Sequence, residues 1–228
     1  MNRTLLCCSV ILAATPIASP GLSAQELQPI RLNPPDTTRG LPFMQALAVK
    51  ASATAWSDKE LAPQDLADLL WAANGLNRPE ENKTTASSAM NAHDVDIYVF
   101  MQAGVFVYDY RTHQLTPAAS GDFRAAILPQ RPARPGAERP AAASTPEAAI
   151  QIVLVSDAAR FRAGSEEQRY EWGALDAGIV SQNISLFCAA TGLKTRPRAM
   201  MNKEKIKELL RLRPTQRVFL NHPVGYSR

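Results

Sequence analysis

The chain has few cysteines, no clustered histidines and no long apolar run, and each lack removes a class of chemistry. Only three cysteines occur in 228 residues, and Cys7 and Cys8 both fall in the first eight. If an amino-terminal leader is removed, Cys188 is left alone and no internal disulfide can form, even in an oxidising compartment. Cys188 sits in an apolar helical run and reads as a small buried hydrophobe rather than a reactive thiol. His93, His113 and His222 stand apart from one another and from any cysteine pair, so no metal-ligand spacing appears. Each reads as a surface or hydrogen-bonding histidine. There is no G-x-S-x-G elbow, no S-x-x-K and no glycine-rich phosphate loop. A net charge of +4, much of it arginine in a proline-rich stretch, is too small to imply a nucleic-acid partner.

What is present is ordinary globular material, with 46% apolar and 20% charged residues, enough for one sizeable domain. The opening MNRTLLCCSVILAATPIASPGLSAQ has a basic start at Arg3, an apolar stretch from Leu5 to Ala14 and then small residues and prolines. It reads as a signal peptide over residues 1–24, which predicts an exported protein, periplasmic or secreted. Leu22 stands where a small residue is preferred, so the cleavage site can lie a few residues from Ala24. A lipoprotein signal is the weaker rival, because Cys7 and Cys8 precede the apolar stretch. That stretch falls well short of the roughly twenty residues of a spanning helix, and no later segment reaches that length, so no stable membrane anchor is expected.

Residues 25–40 are rich in proline (Pro29, Pro34, Pro35) and predict an extended arm, a segment that in oligomers often lies on a neighbour. Leu41 to Ala51 reads as a helix. A second helix begins near Ser57-Asp58 or at Ala62-Pro63, lines Leu66, Leu69, Leu70 and Ala73 along one face, and stops at Asn74-Gly75. VDIYVFM (95–101) and VFVYDY (105–110) predict a hairpin. Asp94 and Asp96 share one face there, with no acid-base partner in view, which favours a strand-capping role over catalysis. Gln130 to Glu147, dominated by Pro, Ala and Arg, predicts a surface loop or linker. Ile150 to Val155 is a continuous apolar run, expected of a strand covered on both faces. Glu166 to Thr191 is the longest helical pattern, apolar nearly all round in its second half and ended by Gly192, as suits the core or a subunit interface. A short segment to Met200, a basic amphipathic helix over 202–212 and a strand over 218–224 complete an α+β layout.

Five phrases in series carry a resemblance: LPFMQALAVKASATAWSDKELAPQDLADLLWAANGLNRP, TTASSAMNAHDVDIYV, GVFVYDY, ALDAGIVSQNISLFCAATGLKT and VGY. Together they resemble the nitroreductase family, and particularly its SagB-type dehydrogenase-like branch, from about Asp36 to the C-terminus. The resemblance implies a 41–228 domain with a central, mostly antiparallel sheet flanked by helices, a homodimer, and FMN at the subunit interface with NAD(P)H as donor. In such enzymes the flavin carries the chemistry, so no acid-base pair is required of the protein.

Carried over residue by residue, KASATAW is the counterpart of the family's R-R-S-x-R-x-F, which holds flavin phosphate and ribityl oxygens. Lys50 keeps a positive charge and Ser52 a hydroxyl, whereas Ala51 and Thr54 have lost basic groups. Lysine also lacks the bidentate fork that suits phosphate. Two lost charge-assisted bonds, at about 1.5 to 3 kcal/mol each, amount to two or more orders of magnitude in FMN affinity. Asn91 matches the asparagine whose amide reaches the flavin, or is a turn residue entering the strand. Arg198 and Ala199 fall in the loop whose backbone N–H approaches flavin N5. Arg228 stands where a basic residue assists the phosphate, or is a frayed tail. The resemblance assigns no catalytic side chain and no metal. It leaves three readings: an exported FMN-dependent oxidoreductase acting on nitro, quinone or related small-molecule acceptors, a non-catalytic dimer binding another ligand in the old cleft, and a SagB-type azoline dehydrogenase.

Overall fold

The computed structural model describes residues 27–128 and 148–228. The expected signal peptide, the first two residues of the arm and the Pro/Ala/Arg-rich stretch 130–147 lie outside the described residues. The described elements run β1 (Ile30–Arg31), α1 (Phe43–Val49), α2 (Pro63–Asn74), β2 (Leu76–Arg78), β3 (Lys83–Thr84), β4 (Val95–Phe100), β5 (Gly104–Asp109), β6 (Gln114–Ser120), β7 (Ile150–Asp157), α3 (Glu166–Thr191), β8 (Lys194–Thr195), α4 (Lys203–Leu210) and β9 (Gln216–Gly225). Seven strands form one sheet in the order β1-β6-β5-β4-β7-β9-β8, every neighbour antiparallel, and β2 pairs with β3 separately.

The central strand follows directly from its sequence. All eight residues of β7 are buried because both faces of the sheet are covered. Ile152 and Leu154 pack in the cluster that holds Leu69 and Leu70 of α2 and Val180 and Ile184 of α3. Val153 and Val155 point the other way, into a smaller cluster with Phe100, Ile127 and Ile206 of α4. The two-residue period of a strand thus divides one apolar run between two cores. Against its neighbours, Ile97 of β4 lies opposite Leu154, and Leu154 lies opposite Leu220 of β9.

Several expectations shift in detail. The first helix ends at Val49, and Lys50 is already extended at φ −62°, ψ 122°. The second helix takes the later of its two starts, with Pro63 in its first turn, where a missing N–H costs nothing. Gly192 ends α3 in the left-handed conformation at φ +81°, and Ser165 caps its other end in a capping box with Gln168. The strand β6 was not legible, because HQLTPAAS carries a proline and small residues. Pro117 is tolerated beside the register shift at Val105/Phe106, on the stretch of β6 that two-residue β1 does not cover. The described part of the arm packs along its own chain: Ile30 pairs with Leu115, and the Leu32 N–H donates to the His113 carbonyl at 3.2 Å.

Candidate functional site

The two flanks of α3 differ. On one flank, the end of α1, the segment after it, the end of α3 and β8 enclose a cleft of about 590 Å³. Backbone hydrogen bonds hold its walls. The Leu41 N–H donates to the Ala190 carbonyl at 2.9 Å, and the Ala53 N–H donates to the Thr195 carbonyl at 2.9 Å. Trp56 fixes the next turn through Nε1–H donated to the Lys194 carbonyl at 2.9 Å. Gly225 lies close beside it: an added Cβ would stand 3.3 Å from Trp56, so the ring would have to give by a few tenths of an ångström.

Ala51, Ser52 and Thr54 line this cleft, so the three central residues of the expected phosphate segment do meet at one cavity. Lys50 precedes them and is exposed. Facing them are Ser185, Thr195 and Ser227, with Lys194 the charged member of the lining and exposed Arg228 next in sequence to Ser227. The sequence reading missed these hydroxyls because they are scattered over α3, β8 and the end of the chain. Only the TGLKT phrase hinted at one of them. Cys188 closes the floor, buried as expected, and burial pushes its thiol pKa well up.

Behind the cleft, His222 is fully buried between the Thr195 Oγ1, 3.2 Å from Nδ1, and the Ser181 Oγ, 2.8 Å from Nε2. Burial, with the Arg198 charge nearby, pushes its pKa down to about 3, so the ring is neutral. It is an interior hydrogen-bonding histidine. His93 is also buried: its Nε2 bonds the Asn82 carbonyl at 2.9 Å and its ring stacks on Tyr110. Among the described residues, no group of His, Cys, Asp or Glu could hold a metal ion.

Asn91 lies on the other flank, outside the cleft lining. It is exposed in a tight turn where Met90, Asn91 and His93 all have positive φ, at 55°, 54° and 48°. Such a run of non-glycine residues is strained and needs outside support. Asp176 of α3 supplies it by accepting the Ala89 N–H at 2.8 Å. Beneath the turn the expected strand-capping role of Asp94 and Asp96 fails. Asp94 is fully buried, accepts the Ser156 hydroxyl on one oxygen, and leaves its other oxygen without a hydrogen-bond donor, with the Asp176 carboxyl nearby. Burial, reinforced by Asp176 and opposed by Ser156, pushes Asp94 up to about 7. Asp96 takes both oxygens to Arg160 at 2.6 and 2.8 Å, and the same guanidinium donates to the His93 carbonyl at 2.6 Å. Burial still raises the Asp96 pKa.

Arg198 is committed elsewhere. Its backbone pairs with Asn221 in both directions at 2.8 Å, and its side chain donates to the Asn221 Oδ1 at 2.8 Å. Ala199 is exposed, as are Pro197 and Met200 on either side of the pair. Arg196 lies over the Trp56 ring at 5.7 Å.

The model of the nitroreductase family matches residues 52–226. No curated protein matches the chain. Among solved structures, a nitroreductase candidate from Ralstonia eutropha JMP134 is 26% identical, with a TM-score of 0.77 over 90% of this chain and 92% of that one. A chain of the Escherichia coli microcin synthetase McbBCD complex is 16% identical, with a TM-score of 0.63 over 78% of this chain and 69% of that one. A nitroreductase family protein from Streptococcus pneumoniae TIGR4 is 20% identical, with a TM-score of 0.55 over 82% and 91%. The last two likenesses speak for the fold alone. The antiparallel sheet, the buried central helix and the family match over most of the chain lead to one conclusion: this chain belongs to the nitroreductase family.

Proposed function

We propose that the protein is a flavin-dependent oxidoreductase, working as an exported homodimer that takes hydride equivalents from a nicotinamide donor and passes them to a nitro, quinone or similar electron-poor acceptor. The observation that carries this reading is the cleft beside α3, where a nitroreductase-family fold gathers Ser52, Thr54, Thr195 and Ser227 on facing walls. Hydroxyls that both donate and accept suit a polyol such as the ribityl chain of a flavin. The bound flavin would supply the two-electron chemistry, and the chain would supply grip and orientation. Thr195 is steadied by neutral His222, which orients a hydroxyl without adding charge. Leu41 and Val49 give the cleft an apolar rim on one side. Asn91 offers an amide at a turn that Asp176 holds in place.

Support for a dimer comes from apolar surface. Met44 is 73% exposed, Phe43 64% and Leu175 61%, and Leu47, Val49 and Ile179 join them on α1 and the outer face of α3. Such a patch on two elements that flank the cleft is the mark of an interface. Export rests on the leader-like opening, and among the described residues no helix is long and apolar enough to cross a membrane.

The test is to add excess flavin to the purified protein, remove what is free, and record the visible spectrum with the native mass. A yellow dimer, bleached anaerobically by NADH or NADPH and reoxidised by a quinone or nitro compound, is expected. A protein that stays colourless would sink the reading and favour a non-catalytic dimer. A yellow protein that ignores those acceptors and oxidises azoline-bearing peptides would move the assignment to the SagB-type alternative.

A further inference from the structure

The wall that would face a flavin's terminal phosphate has the wrong electrostatics for a dianion. Two of the residues at the basic positions of the family segment, Ala51 and Thr54, line the cleft without charge, which leaves Lys194 as its charged side chain. The 26-residue helix α3 ends against the same cavity, with Ala189, Ala190 and Gly192 in its lining. A helix C-terminus carries roughly half a negative charge, and α1 also ends here at Val49. Lys194 therefore offsets the end of α3 more than it provides surplus positive charge. Of the nearby basic residues, Arg196 lies over Trp56 and Arg198 is held on Asn221 and Gln151, whereas Lys50 and Arg228 are exposed beside the lining, outside it, where solvent screens them. Among the described residues, no first turn of a helix lines the cleft to take their place. A phosphate monoester brings about −1.5 to −2 charges to this spot.

Resting on the flavin reading above, we infer that the cleft takes a flavin without its phosphate: the neutral polyol-bearing form, riboflavin, in preference to FMN. The hydroxyls of Ser52, Thr54, Ser185, Thr195 and Ser227 match the uncharged end of such a ligand. Repulsion from the α3 C-terminus penalises only the phosphorylated form.

Riboflavin and FMN share one chromophore, so a fluorescence titration of the purified protein with each isolates the phosphate. Riboflavin is expected to bind more tightly by about tenfold or more. Salt screens the repulsion, so FMN affinity should rise with ionic strength while riboflavin affinity stays level. The exposed double substitution Ala51→Arg with Thr54→Arg should reverse the ratio in favour of FMN and make FMN binding weaken with salt. Equal or tighter binding of FMN by the unaltered protein, weakening with salt, would overturn the inference and leave the flavin reading standing. Binding of neither flavin would overturn both.

Discussion

The two flanks of α3 handle charge in opposite ways. On the Asn91 side the carboxylates are engaged: Asp96 takes Arg160 Nη2 on both oxygens, Asp157 the Arg213 guanidinium and the Thr215 hydroxyl, and Asp94 the Ser156 hydroxyl on one oxygen. On the cleft side the chain offers hydroxyls and little charge, although the family's pattern calls for arginines. The difference teaches where the fold is constrained. A buried ion without a partner costs several kcal/mol, so a carboxyl beneath the sheet edge must be paired, as Asp96 and Asp157 are, or hold a proton, as the raised pKa of Asp94 allows. Ala51, Ser52 and Thr54 are exposed, so on the proposed reading ligand preference can be tuned there with little penalty in stability.

The comparison breaks first at Arg160. Arg160→Ala would strand the half-buried Asp96 carboxylate and release the His93 carbonyl. Discounted for the partial exposure of the guanidinium, the loss is about 2 to 3 kcal/mol, read from the denaturant midpoint. An unchanged midpoint would show that the pair is ornamental.

Asp94 sharpens the comparison through pH. Its pKa is raised in the folded protein from 3.8 to about 7, so the folded state holds a proton that the unfolded chain has already released. The folded state is therefore favoured below pH 4 by this group, and that contribution is lost as pH rises towards 7. Asp176 and Arg160 are the charged groups that act on it from α3 and from the turn after β7. Asp94→Asn keeps an acceptor for Ser156 and a donor for Asp176. It should gain on the order of 2 kcal/mol at pH 8 and little at pH 4. Melting temperatures of the two proteins that run parallel across this range would refute the raised pKa of Asp94.

Gly173 tests how closely α3 is seated on the same network. An added Cβ would stand 2.3 Å from the Ser156 Oγ and 3.0 Å from its Cβ, and Ser156 is bound to Asp94. Gly173→Ala is expected to cost about 1 to 2 kcal/mol despite the better helix propensity of alanine. A stabilised variant would mean that Ser156 can swing away freely. Smallest of all should be the stability effect of the Ala51→Arg, Thr54→Arg pair, within about 0.5 kcal/mol, even as its flavin preference changes.

Much of the fold was legible because the relevant signals are local. The apolar run of β7, the periodic face of α2 and the Gly192 stop of α3 each declare an element from neighbouring residues alone. Strand β6 was hidden because its residues are poor strand formers held by what lies beside them. The site was legible in part: Ala51, Ser52 and Thr54 meet at the cleft as their phrase implied, whereas Asn91 stands on the opposite flank and the Arg198 N–H is spent on Asn221. Nothing within DVD announces that Asp94 will meet a carboxyl 82 positions away on α3.

By itself the sequence determined most of the element types (though not β6), the buried central strand and helix, and the uncharged residues at 51 and 54, since all of these follow from side-chain pattern and chemistry at fixed spacing. Only the tertiary structure decided which charges are already spent, which hydroxyls converge from distant segments, and that the negative end of α3 is aimed at the cleft. Burial and the direction of a helix dipole are properties of the packed chain and of no short stretch within it.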